Sequence, residues 1–245
     1  EPDPQVRREC ALALHHNTAP ESSSLWVALA KQYDGKDRWY LEALGIGADG
    51  QWDNFFAAYK TEVNDPVQSE GSKNIVWRAR TDAALPYLSS LALAPQVALH
   101  ERLKYFRAFD FNKGPLKSKL LVKMIEDNAT NDTAINKLVL HALDIQTVKK
   151  SAVAQNALKN VLLSVNGTDE YNELIERFEV KTENENLLKL ALSRPNQSVG
   201  RNAAGLLLKL GGSNLAWSVV NGKNEAQKDR SEEHTSELQS QNRIS

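Results

Sequence analysis

The chain has 245 residues, of which 41% are hydrophobic and 25% are charged, so its length and composition are those of a folded globular protein. Lysine and arginine together number 30 and aspartate and glutamate 31, which gives a formal net charge of -1. This balance supplies no basic field for binding nucleic acid, and no run of about eighteen apolar residues is present. We therefore expect neither a nucleic-acid partner nor a direct membrane span.

Apolar residues recur at spacings of three and four along nearly the whole chain, which is the pattern of amphipathic helices. The pattern is clear at residues 25–33, 55–59 and 120–125. Stretches rich in glycine, proline, asparagine and aspartate separate such segments, at residues 34–35, 47–50, 64–66, 112–115, 128–132, 166–167, 194–196 and 211–212. The sequence predicts an all-α fold of about eleven short helices.

Two segments of the chain resemble each other, residues 3–14 and residues 196–207. Matching positions lie 193 residues apart, close to five units of about 39 residues, which is near the length of HEAT and armadillo repeats. Such repeats stack helix pairs on their neighbours. We therefore predict a HEAT/armadillo-like α-α superhelix, or solenoid, over residues 1–229.

The repeated segments carry polar residues at equivalent positions. Asp3 and Asn196 are predicted to cap the two helices. Arg8 and Arg201 follow just inside the helix starts, where we assign them a structural role. The buried faces are predicted to begin at Val6 and Val199.

The last residues of the chain lack apolar periodicity. Residues 230–240, RSEEHTSELQS, look like the translation of a short-read sequencing adapter. We interpret residues 230–245 as a disordered or artefactual tail that is not native, and we expect the native chain to extend beyond both ends of this sequence. Without the tail, basic and acidic residues number 28 each, since the tail holds two of the 30 and three of the 31.

Gly45, Gly47 and Gly50 form a G-x-G-x-x-G pattern, which in dinucleotide-binding proteins links a strand to a helix. Residues 37–44, which precede the pattern, are predicted to be helical instead. We therefore interpret these glycines as a helix C-cap and an interhelical turn.

Cys10, His15 and His16 are potential zinc or copper ligands within one segment. No C-x-x-C pair completes such a site, so Cys10 is predicted to be a small core residue and the histidines to lie at a helix end. His100 and His141 have no nucleophile motif beside them. We assign no catalytic, cofactor-binding or metal-binding residue in this sequence.

Trp39, Tyr40 and Trp52 form an aromatic-rich stretch with Phe55 and Phe56. Tryptophan and tyrosine dominate binding hot spots, so the first three are candidates for an exposed interaction surface. The alternative is that these aromatic residues, which have helical spacing, form part of the core.

Residues 6–14, 33–48 and Trp52 resemble the HEAT segment of large bacterial envelope proteins, membrane-bound dehydrogenases with a C-terminal haem-binding C-x-x-C-H module. Residues 200–211 are similar to a later unit of the same segment. The resemblance implies a location in the periplasm or cell envelope, with haem c in the parent protein only. No catalytic or haem-ligating motif of that family is present here, so no functional residue is carried over.

Two functions follow from these observations. The first is a non-catalytic helical-repeat scaffold that binds flanking domains of the same chain or another protein. The alternative, implied by the resemblance, is the central part of a membrane-bound dehydrogenase with a c-type haem domain, where the repeats contribute to the assembly of electron-transfer domains.

Overall fold

The computed structural model describes residues 2–128 and 132–222. Within these residues all regular structure is helical, which confirms the all-α prediction, and there are fifteen α-helices where about eleven were predicted. The chain divides into two compact units, Glu1–Val161 and Leu162–Ser245. The predicted boundary of the native chain, between residues 229 and 230, and the tail at residues 230–245 lie outside the described residues.

The first unit is built from short helices. They are α1 (Pro4–Leu12), α2 (Ser22–Ala30), α3 (Arg38–Gly47), α4 (Trp52–Glu62), α5 (Glu70–Arg78), α6 (Leu85–Leu93), α7 (Leu99–Ala108), α8 (Pro115–Asp127), α9 (Thr133–Ala142) and α10 (Ile145–Lys150). Short 3-10 helices occur at Asp82–Ala84 and Phe109–Phe111. The unit boundary falls within α11 (Ala152–Ser164).

Helices that alternate along the chain pack side by side in the first unit. One layer consists of α1, α3, α5, α7 and α9, each packed on the next. The other contains α2, α4, the 3-10 helix Asp82–Ala84, α6 and α8. This two-layer arrangement is that of a solenoid-like α-α fold, in which each helix finds its apolar cover on its neighbours.

A cluster of aromatic rings forms the core between α2 and α4. The ring of Trp26 lies 5.7 Å from those of Trp52 and Phe55 and 6.1 Å from that of Tyr59, centroid to centroid. The indole Nε1 of Trp26 donates a hydrogen bond of 2.9 Å to the carbonyl oxygen of Leu44 in α3. The cluster therefore joins the two layers.

Two of the three glycines of the G-x-G-x-x-G pattern lie inside α3, where a C-cap and turn were predicted. A Cβ atom on Gly47 would overlap the carbonyl oxygen of Ala11 in α1, and one on Gly45 would overlap the guanidinium group of Arg78 in α5. Only Gly50 lies in a turn that requires the backbone conformational freedom of glycine, since its φ of 73° is in the left-handed region. The first two glycines therefore allow close packing of α3 on both sides.

The second unit contains four helices beyond α11. They are α12 (Asp169–Phe178), α13 (Asn184–Ser193), α14 (Ser198–Lys209) and α15 (Ser213–Gly222). Helix α14 packs against both α12 and α13. None of the described helices is by itself long and apolar enough to cross a membrane, whereas α14 and α15 together meet that test of length and composition but are bent by 116°.

Of the two helix caps predicted from the repeat, the one at Asp3 is confirmed and the one at Asn196 is wrong. Asp3 caps α1, since its Oδ1 accepts a hydrogen bond of 2.7 Å from the amide of Gln5. Asn196 does not cap α14, because the N-cap position is Gln197, which makes no side-chain capping bond. The Asn196 carbonyl oxygen instead accepts a bond of 2.9 Å from Arg201 Nη1. Arg8 is half-buried in α1, and its structural role stays a prediction.

Two other residues of α1 have a different environment from the one predicted. Val6, predicted to begin the buried face, is 45% exposed, whereas its counterpart Val199 is buried. Cys10, predicted to be a core residue, is exposed. Ala11 of α1 and Leu14 in the turn that follows it are buried instead.

Candidate interaction surface

The three aromatic residues predicted as an interaction surface have different environments. Trp39 is 71% exposed, but Tyr40 and Trp52 are buried and so cannot belong to an exposed surface. The Tyr40 hydroxyl donates a hydrogen bond of 2.8 Å to the carbonyl oxygen of Leu29, and burial raises its pKa to about 12. Consecutive helical residues point in directions about 100° apart, which separates Trp39 from Tyr40.

The exposed side chain of Trp39 shares a face of α3 with Glu42 and Ile46, at spacings of three and four residues. Ile46 is 42% exposed. Beside this face, α5 and its C-terminal turn supply Trp77, Arg78 and Arg80.

A pocket of about 500 Å³ opens next to this face of α3. It is lined by His15, Glu42, Ile46, Asp49, Trp77, Arg78, Arg80 and Phe111. We call these eight residues, together with Trp39, the α3–α5 surface. Phe111 is 59% exposed and, with Trp39 and Ile46, gives the surface three solvent-exposed apolar side chains.

Two arginines of the surface are held in place by neighbouring groups. Arg78 Nε donates a hydrogen bond of 3.0 Å to Glu42 Oε2, an ion pair that joins α5 to α3. Arg80 Nη1 donates bonds of 3.1 Å to the carbonyl oxygens of Trp77 and Ala79, which satisfies groups at the C-terminal end of α5. The guanidinium carbon of Arg80 lies 3.9 Å from the ring centroid of Phe111.

Burial and, to a smaller extent, the positive charge of Arg78 lower the pKa of Arg80 to about 10, although the carboxylate of Glu42 opposes this shift. At neutral pH the group is still fully protonated. Arg80 is therefore a cation that has already lost part of its hydration, which strengthens its interaction with an incoming anionic group.

A second depression, of about 360 Å³, adjoins Arg80 at the start of α4. Trp52 is one of its lining residues, with residues 49–54 forming most of the wall. The indole Nε1 of Trp52 is buried and has no hydrogen-bond partner in the part of the chain that the structure describes.

The α3–α5 surface has the residue composition of a binding surface. Its residues include no serine, threonine or cysteine nucleophile. Among the described residues, no group of three or more histidine, cysteine, aspartate or glutamate side chains is placed to hold a metal ion. Exposed aromatic rings beside arginine are the composition of protein-binding hot spots.

Ile46, Arg80 and Phe111 were not among the residues predicted for an interaction surface. Ile46 was detectable, because it lies seven residues after Trp39 and therefore on the same helical face. The pairing of Arg80 with Phe111 had no sequence signal, since it depends on how the 3-10 helix Phe109–Phe111 meets the end of α5.

Comparison with protein-family models, with curated protein sequences and with solved structures gives no match to this chain. The resemblance to the HEAT segment of haem-containing dehydrogenases therefore stays a prediction.

Proposed function

We propose that the chain is a non-catalytic helical-repeat scaffold that binds a protein partner, or a flanking domain of its own longer chain, through the α3–α5 surface. One observation carries the proposal: the exposed Ile46 and Phe111 line one pocket with the half-buried Arg80, and the exposed Trp39 lies on the same face of α3 as Ile46. Large apolar side chains grouped around an arginine lose water on association and gain an anchor for an anionic group.

The chemistry of the surface defines the kind of partner that it fits. The pocket between Ile46 and Phe111 accepts an apolar side chain. Arg80 uses Nη1 for backbone carbonyls and retains further N–H donors for a carboxylate, whereas Arg78 is already paired with Glu42. We therefore expect a partner segment with an aromatic or aliphatic residue close to an aspartate, a glutamate or a C-terminal carboxylate.

The more specific function, assembly of electron-transfer domains in a membrane-bound dehydrogenase of the periplasm or cell envelope, is supported by the resemblance of residues 6–14, 33–48 and 200–211 only. In that case the partner is a flanking domain and the haem c belongs to it. This function stays a prediction.

Selection of peptides from a random phage-displayed library on the immobilised chain tests the proposal. We expect the selected peptides to combine an apolar residue with a carboxylate, and to lose at least about tenfold in affinity when Ile46→Ser and Phe111→Ser are combined. Affinity is measured by isothermal titration calorimetry.

The matched control combines Leu25→Ser and Leu99→Ser, which also remove two exposed apolar side chains from the first unit. Selected peptides should bind this control as they bind the wild-type chain. If both double variants bind equally well, or if the selected peptides lack the expected pair of groups, the α3–α5 surface is not the binding site.

A further inference from the structure

A second, polar groove lies between α12 and α14 in the second unit and has a volume of about 650 Å³. It is lined by Asp169, Asn172, Glu173, Glu176, Ser198, Arg201, Asn202, Gly205, Leu206 and Lys209. We call it the α12–α14 groove. It shares no residue with the α3–α5 surface.

The two helices that form the groove run in the same direction. Near their starts, Asn172 Nδ2 donates a hydrogen bond of 2.9 Å to the carbonyl oxygen of Val199. Near their ends, Lys209 Nζ donates a bond of 2.6 Å to Glu176 Oε1. The groove therefore extends along the helices for about 16 Å, the rise of eleven helical residues, which matches about five residues of extended peptide.

The α12 wall of the groove is acidic. Asp169, Glu173 and Glu176 follow one another at spacings of four and three residues, so they share one face of the helix. Glu176 is paired with Lys209, whereas the carboxylates of Asp169 and Glu173 have no ion-pair partner within residues 2–128 and 132–222.

The α14 wall is mixed: it contains small and polar residues, the apolar Leu206 and the cations Arg201 and Lys209. A Cβ atom on Gly205 would have no atom within 4 Å, so the groove is open above this residue. Arg201, the other cation of the wall, donates to the carbonyl oxygen of Asn196 and so is directed to the turn before α14.

One buried polar atom in the groove wall is not satisfied. Asn172 is only 6% exposed, and its Oδ1 has no hydrogen-bond partner in the described part of the chain. A buried acceptor of this kind lowers stability unless a donor reaches it. A ligand N–H group can supply that donor, whereas a carboxylate or phosphate group cannot.

We propose that the α12–α14 groove binds an extended peptide segment that carries lysine or arginine. A cationic side chain of the segment lies between the carboxylates of Asp169 and Glu173, and a peptide or side-chain N–H donates to Asn172 Oδ1. The acidic wall repels phosphate groups and favours basic peptide.

The test uses a fluorescent synthetic peptide of alternating lysine and serine, with binding followed by fluorescence anisotropy. The same peptide with glutamate in place of lysine should not bind. Combining Asp169→Asn with Glu173→Gln should lower the affinity for the lysine peptide about threefold to tenfold, since each exposed ion pair contributes modestly.

Two further variants distinguish binding in the groove from a general effect of net charge and from loss of the fold. Glu126→Gln combined with Glu185→Gln removes the same charge from exposed positions outside the groove and should leave binding unchanged. Gly205→Leu places a large side chain in the groove, so the affinity for the lysine peptide should fall at least about tenfold. Because leucine favours helix more than glycine does, the melting temperature should stay the same or rise. Equal losses in both charge pairs, unchanged binding by Gly205→Leu, or binding of the glutamate peptide would each overturn the proposal.

Discussion

Gly47 of α3 faces the main chain of α1 so closely that a methyl group at Gly47 would overlap the carbonyl oxygen of Ala11. The obstacle is backbone and cannot rotate away. We expect Gly47→Ala to lower the free energy of unfolding by about 1–3 kcal/mol, because α1 must shift away from α3. Urea denaturation followed by circular dichroism measures the change.

Gly205→Ala is the control for that substitution, since it also places a methyl group on a helical glycine but into open space. It should stabilise the chain by about 0.5–1 kcal/mol through helix propensity. If both alanine variants were stabilising, the close packing of α1 against α3 would be wrong.

The buried indoles of Trp26 and Trp52 differ in one hydrogen bond, which two matched variants isolate. Trp26 Nε1 donates to the Leu44 carbonyl oxygen, whereas Trp52 Nε1 has no partner within the described residues. Both phenylalanine variants lose ring volume, but Trp26→Phe should be less stable than Trp52→Phe by about 1 kcal/mol. The difference is no larger because the Leu44 oxygen also accepts from the Ala48 amide. Equal unfolding free energies would contradict the assigned bond.

Leu207 and Leu208 are neighbours in α14 with opposite environments, the first 2% and the second 54% exposed. Leu207→Asp should destabilise the second unit by at least about 3 kcal/mol, because it removes buried apolar surface and places a charge in the core. Leu208→Asp should have an effect within about 0.5 kcal/mol. Thermal melting of both variants decides whether the buried face of α14 is assigned correctly.

Buried tyrosines make the fold sensitive to alkaline pH. Burial raises the pKa of Tyr40 and of Tyr105 to about 12 from the ordinary value of 10.0. The unfolded chain loses these protons first, so unfolding releases protons between about pH 10 and pH 12 and the free energy of unfolding falls through that range. Each tyrosine thus contributes a stabilisation that is complete below the unfolded pKa and is lost as the pH rises.

For each protein, the fall in the free energy of unfolding is measured relative to its own value at neutral pH. Between about pH 9 and pH 11 this fall should be smaller for the double variant Tyr40→Phe and Tyr105→Phe than for the wild-type chain. Urea denaturation at these pH values measures the loss. An identical loss in both proteins would mean that these two phenols do not cause the alkaline sensitivity.

The apolar periodicity of the sequence predicted the helical class and most of the core, because burial of one face is a local property of each helix. Phe55, Phe56 and Trp52 are buried as the helical spacing indicated. The same periodicity does not say which face is buried when a helix has apolar residues on several sides. That is why Val6 and Cys10 in α1 were expected to be buried and are exposed.

The candidate site was harder to predict, because it is formed between helices. Of the three aromatic residues proposed for it, Trp39 is exposed, but Tyr40 and Trp52 are core residues, and the pocket beside α3 is completed by residues of α5 and by Phe111. The role of Gly45 was equally hidden, since a glycine that makes room for the Arg78 side chain is indistinguishable in sequence from one that ends a helix.

The alternating packing of the first unit has a consequence for how the chain acquires its structure. The principal contacts among α1 to α9 are between helices at most two positions apart along the chain. Low contact order of this kind favours rapid folding, since only short loops must close before stabilising contacts form. The earliest helices to emerge from the ribosome can thus bury their apolar faces against each other while the later ones are still being synthesised.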